Sequence, residues 1–206
     1  MNNLKHARNR IINAPVSCES IADLRAGDVV YFSGRLFTGR DDVYRRIVDE
    51  GYDCPVSLKD MAMYHAGPLV REKNGAYELV SVGPTSSIRM EAWAADFIKK
   101  TGIRIMIGKG GMGEKTAEAC REFGAIHCVY PGGCAVLGAG QIETVEDVYW
   151  RELGMPESLW VMRARETGPL IVSIDTQGNN LFAENAAHYM SQKESCIAPV
   201  IKYLRH

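Results

Sequence analysis

The sequence predicts a single α/β domain built on a mixed sheet. Three observations carry this. Between residues 103 and 142, apolar strand-type runs alternate with helical segments in the order strand, loop, helix, strand, loop, helix. That order implies parallel strands joined by right-handed crossovers. At residues 69–80 an Asn-Gly pair separates two alternating runs, the strongest short-range sign of an antiparallel hairpin. The composition is 46% apolar and 24% charged over 206 residues, that of a globular chain long enough to bury a full core without disulfides or metals.

Taken in order, residues 1–24 are polar and mixed and read as an arm or short helix, with the domain proper expected over 25–192 and a tail over 193–206. Asp28-Val29-Val30-Tyr31-Phe32-Ser33 is an apolar run of strand type. The stretch Asp42–Glu50 is helical, with Val43, Ile47 and Val48 on one face and Gly51 as its stop. Leu69–Glu72 and Tyr77–Val80 flank the Asn74-Gly75 turn. After Gly83-Pro84-Thr85-Ser86-Ser87 comes a helix to Lys100, with Trp93, Phe97 and Ile98 as its buried stripe and Gly102 beyond its end. Ile103–Ile107 and Ala125–Tyr130 are strands; Glu114–Phe123 and Cys134–Ile142 are the helices that follow them. Two more strands are expected at Trp160–Arg165 and Leu170–Asp175, turned by Thr167-Gly168, and a C-terminal helix over Asn179–Gln192.

Charge and cysteine usage exclude several classes of function. Twenty-four Lys and Arg against 25 Asp and Glu give a net charge of −1, so there is no global basic field and no nucleic-acid partner is expected. The longest charge-free run, 19 residues from Gly124 to Ile142, holds five glycines, Pro131, His127 and Gln141. It reads as strand, turn and helix, and no membrane association is expected. The start of the chain has no apolar signal region. Six cysteines without a C-x-x-C pair are too sparse for a disulfide scaffold and fit reduced thiols in the cytoplasm.

Chemistry concentrates in loops that enter helices. Gly108-x-Gly110-x-x-Gly113 follows a strand and precedes a helix, formally the dinucleotide fingerprint. Yet no acidic residue follows the second strand to hold a ribose. What survives is a helix N-terminus beside Lys109, able to hold an anion; the plain alternative is a tight turn with a solvated lysine. Gly83-Pro84-Thr85-Ser86-Ser87-Ile88-Arg89 has the same layout, with a simple hydroxyl cap as its alternative. In Thr38-Gly39-Arg40-Asp41, Asp41 serves the helix start and Arg40 is free to face a ligand. If they converge, Arg40, Arg89 and Lys109 form a clamp for a small dianion such as a dicarboxylate. His65 reads more simply as a satisfied core histidine than as a base. Cys120 and Cys128 fall on an apolar helix face and within a strand, as inert thiols do; Cys134 alone lies at a loop edge.

Together the loops resemble one family. Ser33-Gly34, Thr38-Gly39-Arg40-Asp41, His65-Ala66-Gly67-Pro68, Gly83–Met90, Ile107–Met112, Pro131-Gly132-Gly133-Cys134-Ala135, Glu152-Leu153-Gly154-Met155-Pro156-Glu157 and Ser173–Asn180 stand in the order found in the β subunits of iron–sulfur-dependent class I hydro-lyases. That family comprises L(+)-tartrate dehydratase and class I fumarase, and the resemblance runs from about Asp28 to Asn185. It implies a swivelling β/β/α domain that works with a separate α subunit, as two α and two β chains. It also implies a [4Fe–4S] cluster held by the α subunit, not by this chain, acting as a Lewis acid on substrate. By the same resemblance Thr85 is the proton-transfer residue, and Arg40, Arg89 and Lys109 contact the substrate carboxylates. Ser86 and Ile88 depart from the residues common in relatives, which bears on the shape of the pocket. The segments Glu152–Val161 and Gly168–Asp175 lie closer to the tartrate branch. The expected activity is therefore tartrate to oxaloacetate and water, with malate–fumarate interconversion as the alternative. A remoter alternative is an anion- or nucleotide-binding regulatory module built on the Gly loop.

Overall fold

A computed structural model of the chain describes residues 10–204; the first nine residues of the expected arm lie outside the described residues. Among the described residues, nine strands and six α-helices follow in the order β1 (Arg10–Asn13), α1 (Cys18–Ile21), β2 (Val29–Thr38), α2 (Asp41–Val48), β3 (Ala62–Tyr64), β4 (Leu69–Lys73), β5 (Ala76–Ser81), α3 (Glu91–Thr101), β6 (Ile105–Gly108), α4 (Glu114–Phe123), β7 (Ile126–Val129), α5 (Ala135–Gly140), β8 (Ile142–Tyr149), β9 (Leu159–Ile174) and α6 (Leu181–Leu204). A short 3-10 turn, Ser87–Met90, leads into α3.

Seven strands form a mixed sheet in the order β1-β2-β3-β6-β7-β9-β8, while β4 and β5 form the separate hairpin. Strands β2, β3, β6 and β7 run parallel; β9 is antiparallel to both β2 and β7. Because β9 pairs with both, the five strands β2, β3, β6, β7 and β9 close into a ring. Period-two alternation then sorts the side chains. Leu36, Ala62, Tyr64, Ile105, Ile107 and Ile126 face one core, which Ile12, Val16 and Ile21 complete. Phe37, Met63 and Met106 face the other core, covered by Tyr44 and Ile47 of α2, Phe97 and Ile98 of α3, and Ala119 and Cys120 of α4.

The hairpin forms as expected, with Asn74 and Gly75 both at positive φ (53° and 76°), the requirement of a tight two-residue turn. Four expectations change. Part of the expected arm is β1, paired in parallel with β2. The segment after Ile142 is β8, a strand the sequence hid. The two expected strands around Thr167-Gly168 are one continuous strand of 16 residues. Gly168 makes no turn there: a Cβ on it would lie 2.8 Å from the Tyr31 ring and 3.0 Å from the Val30 carbonyl, so glycine admits the neighbouring strand β2. The C-terminal helix continues past Gln192 to Leu204. Among the described residues no helix is long and apolar enough to cross a membrane.

Candidate active site

Strands β2, β3, β6 and β7, parallel to one another, end on one edge of the sheet. Beyond β2 lies Gly39-Arg40, beyond β3 His65-Ala66-Gly67, beyond β6 Lys109-Gly110 and beyond β7 Pro131-Gly132. The loop Gly83–Ser86 is threaded between the ends of β3 and β6. Thr85 N–H donates to the His65 carbonyl (2.6 Å), and the Thr85 carbonyl accepts from Lys109 N–H (3.0 Å). Ala66 bridges Pro84, and Ser86 bridges Lys109. On the far side a Cβ at Gly83 would sit 2.9 Å from Ala135 Cβ, so the loop lies directly on the start of α5.

Arg40 and Arg89 stand in this edge, each beside a carboxylate. Arg40 Nε lies 3.0 Å from Glu157 Oε1, yet its N–H is misaligned for a hydrogen bond, so the contact is ionic. The other Glu157 oxygen accepts from Asp42 N–H at the start of α2 (3.3 Å). Burial raises the Glu157 pKa, against the lowering effect of Arg40. Arg89 meets Asp41 through Nε–H (3.2 Å to Oδ1) and Nη2 (2.5 Å to Oδ2). The expectation that Arg40 is free is thus corrected: Glu157 holds it. A guanidinium carries five N–H donors in a rigid fork, so one carboxylate orients it and leaves donors over. Lys109 is exposed and has no ion pair among the described residues; its stem passes 3.5 Å from where a Gly132 Cβ would be. Thr85 is half-buried, and among the described residues its hydroxyl makes no hydrogen bond. The 3-10 turn that follows has Ser86 at its N-cap without a side-chain bond, so Thr85 is not a cap.

The glycines of Gly108-x-Gly110-x-x-Gly113 are accounted for by the protein itself. A Cβ at Gly108 would lie 1.8 Å from Ser87 Oγ and 2.9 Å from His65 Nδ1. Gly110 takes φ +70° in the turn. A Cβ at Gly113 would lie 2.5 Å from Glu91 Oε1, because Glu91 accepts from Gly113 N–H (2.7 Å) and Thr116 Oγ1–H (2.6 Å). The helix N-terminus expected to hold an external anion is therefore occupied by Glu91, which removes the main support for a nucleotide.

A cleft of about 1090 Å³ opens beside Lys109, walled by Ser86, Ile88, the Gly110–Glu114 loop, Gly178–Asn180 and Phe182–Glu184. Arg40, Arg89 and Thr85 do not line it. Its far wall was not anticipated as part of the site. Asp175 builds that wall by accepting from the N–H groups of Gln177 (2.9 Å) and Asn179 (3.1 Å), and Asn180 donates to the Met112 carbonyl (2.9 Å). The Asp-x-x-x-Asn-Asn spacing was the available signal.

His65 is fully buried with both ring nitrogens bonded, as the plain reading has it. Burial lowers its pKa well below the ordinary value, with His127 adding to the effect. Cys120 and Cys128 are buried, with thiol pKa values pushed up by burial, Cys128 to about 12. Among the described residues no three His, Cys, Asp or Glu side chains gather as a metal site needs. These residues do not fit an iron–sulfur cluster.

Three relatives and one family model are similar to the chain. The family model described as Fumarase C-terminus matches residues 2–185. The chain is 47% identical over 197 residues to the L(+)-tartrate dehydratase subunit beta of Escherichia coli strain K12, covering 96% of this chain and 98% of that protein. A putative L(+)-tartrate dehydratase subunit beta of Methanocaldococcus jannaschii is 37% identical over 170 residues, 81% of this chain and 87% of the relative. A putative class I fumarate hydratase of Geobacillus stearothermophilus is 41% identical over 171 residues, 82% of this chain but 33% of the relative.

Proposed function

The chain belongs to the Fumarase C-terminus family, and on that premise we propose that it is the β subunit of an L(+)-tartrate dehydratase, a hydro-lyase that takes tartrate to oxaloacetate and water. One observation supports the reading: the loop segments that resemble that family, all within the residues the family model matches, meet along a single sheet edge. Glu157 contacts Arg40, Pro156 lies against Gly67, Thr85 is bonded to His65 and Lys109, and Asn180 to Met112. The tartrate branch is favoured over malate–fumarate because the E. coli tartrate relative matches along almost its whole length. The Geobacillus fumarate relative matches over a third of its own length.

In this reading the iron–sulfur cluster and the rest of the pocket belong to an α subunit, in an assembly of two α and two β chains. This chain supplies charge and a hydroxyl. Dehydration removes a proton from one carbon while hydroxide leaves its neighbour, so negative charge builds on the carboxylate beside the deprotonated carbon. Lys109 and the spare N–H groups of Arg89 and Arg40 stabilise that charge. Their partners Asp41 and Glu157 orient the guanidinium groups before substrate arrives. Thr85 is the proton-transfer group. A threonine hydroxyl is a poor base alone, so a carboxylate of the α subunit activates it.

The test is turnover by the purified two-subunit complex with tartrate isomers, malate and fumarate assayed side by side. The reading expects L(+)-tartrate to be consumed with the highest kcat/KM. Preference for malate or fumarate transfers the chain to the fumarase branch, and tight NAD or ATP binding by the chain alone would restore the nucleotide reading.

A further inference from the structure

Beneath the Thr85 loop runs a buried chain of polar side chains that the reaction does not use. Tyr44 Oη lies 2.7 Å from His65 Nε2, and His65 Nδ1 lies 2.9 Å from Ser87 Oγ. Ser87 Oγ is 2.9 Å from His127 Nε2, His127 Nδ1 is 2.5 Å from Ser173 Oγ, and Ser173 Oγ is 3.1 Å from the His127 carbonyl. Tyr44, His65, Ser87, His127 and Ser173 are all fully buried. They come from α2, the end of β3, the 3-10 turn, β7 and β9.

Donor accounting gives this chain one direction. A carbonyl only accepts, so the Ser173 hydroxyl donates to it. Ser173 Oγ then accepts from His127, whose proton sits on Nδ1. A neutral His127 leaves Nε2 as an acceptor, which takes the Ser87 proton. Ser87 Oγ in turn accepts from His65 Nδ1–H, and His65 Nε2 accepts from Tyr44. Each side-chain hydrogen is used once, and reversing any one bond leaves two protons or two lone pairs facing each other in a site without water access.

Ser87 is the centre of this chain and lies two residues from both Thr85 and Arg89. Its own N–H donates to the Lys109 carbonyl (3.0 Å). Gly108 has no room for a side chain because Ser87 Oγ is there. We propose that Ser87 is a positioning residue: the one-way chain from Tyr44 to the His127 carbonyl locks its hydroxyl, and that lock sets the Thr85–Arg89 segment against Lys109. The proposal rests on the reading of Thr85 as the proton-transfer group.

Two measurements test it. In the assembled two-subunit enzyme, Ser87→Ala lowers kcat about 10- to 100-fold, the scale of a displacement near 1 Å, with KM within about fivefold of the parent. Ser173→Ala, whose hydroxyl touches neither loop, lowers kcat about 3- to 10-fold in the same sense because it frees His127 to reverse. A structural role alone lowers the melting temperature and leaves kcat per folded enzyme unchanged. In the 15N-labelled full chain, nitrogen shifts at pH 7 place the proton on Nδ1 of both His65 and His127. An Nε2–H form of either, or kcat of Ser87→Ala within about twofold of the parent, overturns the proposal. Failure of the functional reading appears elsewhere, as a parent complex inactive on every dicarboxylate.

Discussion

Lys109 and Arg89 carry the same charge in different surroundings, so their substitutions separate binding from stability. Lys109 is exposed and unpaired among the described residues, and Lys109→Ala leaves the fold intact. Arg89→Ala also strands Asp41, whose side chain is only 26% exposed, and costs some stability. Loss of a charge-assisted bond to a carboxylate is worth about 2–4 kcal/mol, so each variant lowers kcat/KM of the complex about 30- to 1,000-fold. Steady-state kinetics with melting curves checks both. The buried histidines make a second prediction. Burial lowers the His127 pKa from 6.5 to about 3, and that of His65 in the same direction. The unfolded chain therefore binds protons that the folded chain refuses, and stability falls as pH drops from 6.5 towards 3. His127 contributes up to about 1.4 kcal/mol per pH unit in that window, and His65 acts in the same direction. Glu157, with its pKa raised, works in the opposite sense. Urea unfolding between pH 7 and 5 should show the loss, and a flat profile would contradict the buried neutral chain. As candidates the three cations were legible because charge beside glycine and hydroxyl residues stands out. His127, Ser87 and Glu91 were not, since their partners lie 22 to 46 residues away in sequence.

At the scale of elements, glycine positions divide legible from hidden structure. The Asn74-Gly75 hairpin and the stop at Gly102 (φ 67°) follow from local backbone needs and were read correctly. Gly108 and Gly168 answer to side chains and backbone from distant parts of the chain, and both invited local readings, a phosphate loop and a turn. Strand β8 was missed for a related reason: register shifts between Ile142 and Thr144, and between Val145 and Asp147, break its period-two pattern. Gly108→Ala places a methyl group on Ser87 Oγ, so it should lower the melting temperature and abolish turnover together. Gly110→Ala meets only open space and pays a strain near 1 kcal/mol for its positive φ, so turnover should survive it in part. Equal effects of the two would mean that the loop's role lies in its backbone turn and not in its packing on Ser87.

Across the whole molecule, the closed ring of β2, β3, β6, β7 and β9 puts four loop ends on one edge, and no local pattern announces that closure. It depends on β9 pairing with strands distant in sequence on both sides. The edge leaves Arg89 and Lys109 exposed, and a carboxylate clamp in bulk water is weak. The chain alone should therefore show no turnover, with activity appearing on addition of the α subunit.

The most direct test of the account is Thr85→Val beside Thr85→Ser in that complex. Valine keeps the shape and removes the hydroxyl, which makes no structural hydrogen bond among the described residues. The account predicts an unchanged melting temperature, KM within a few-fold of the parent, and kcat lower by about 10²- to 10⁴-fold, with Thr85→Ser keeping a measurable share of the rate. A folded Thr85→Val complex with the parent kcat would contradict it.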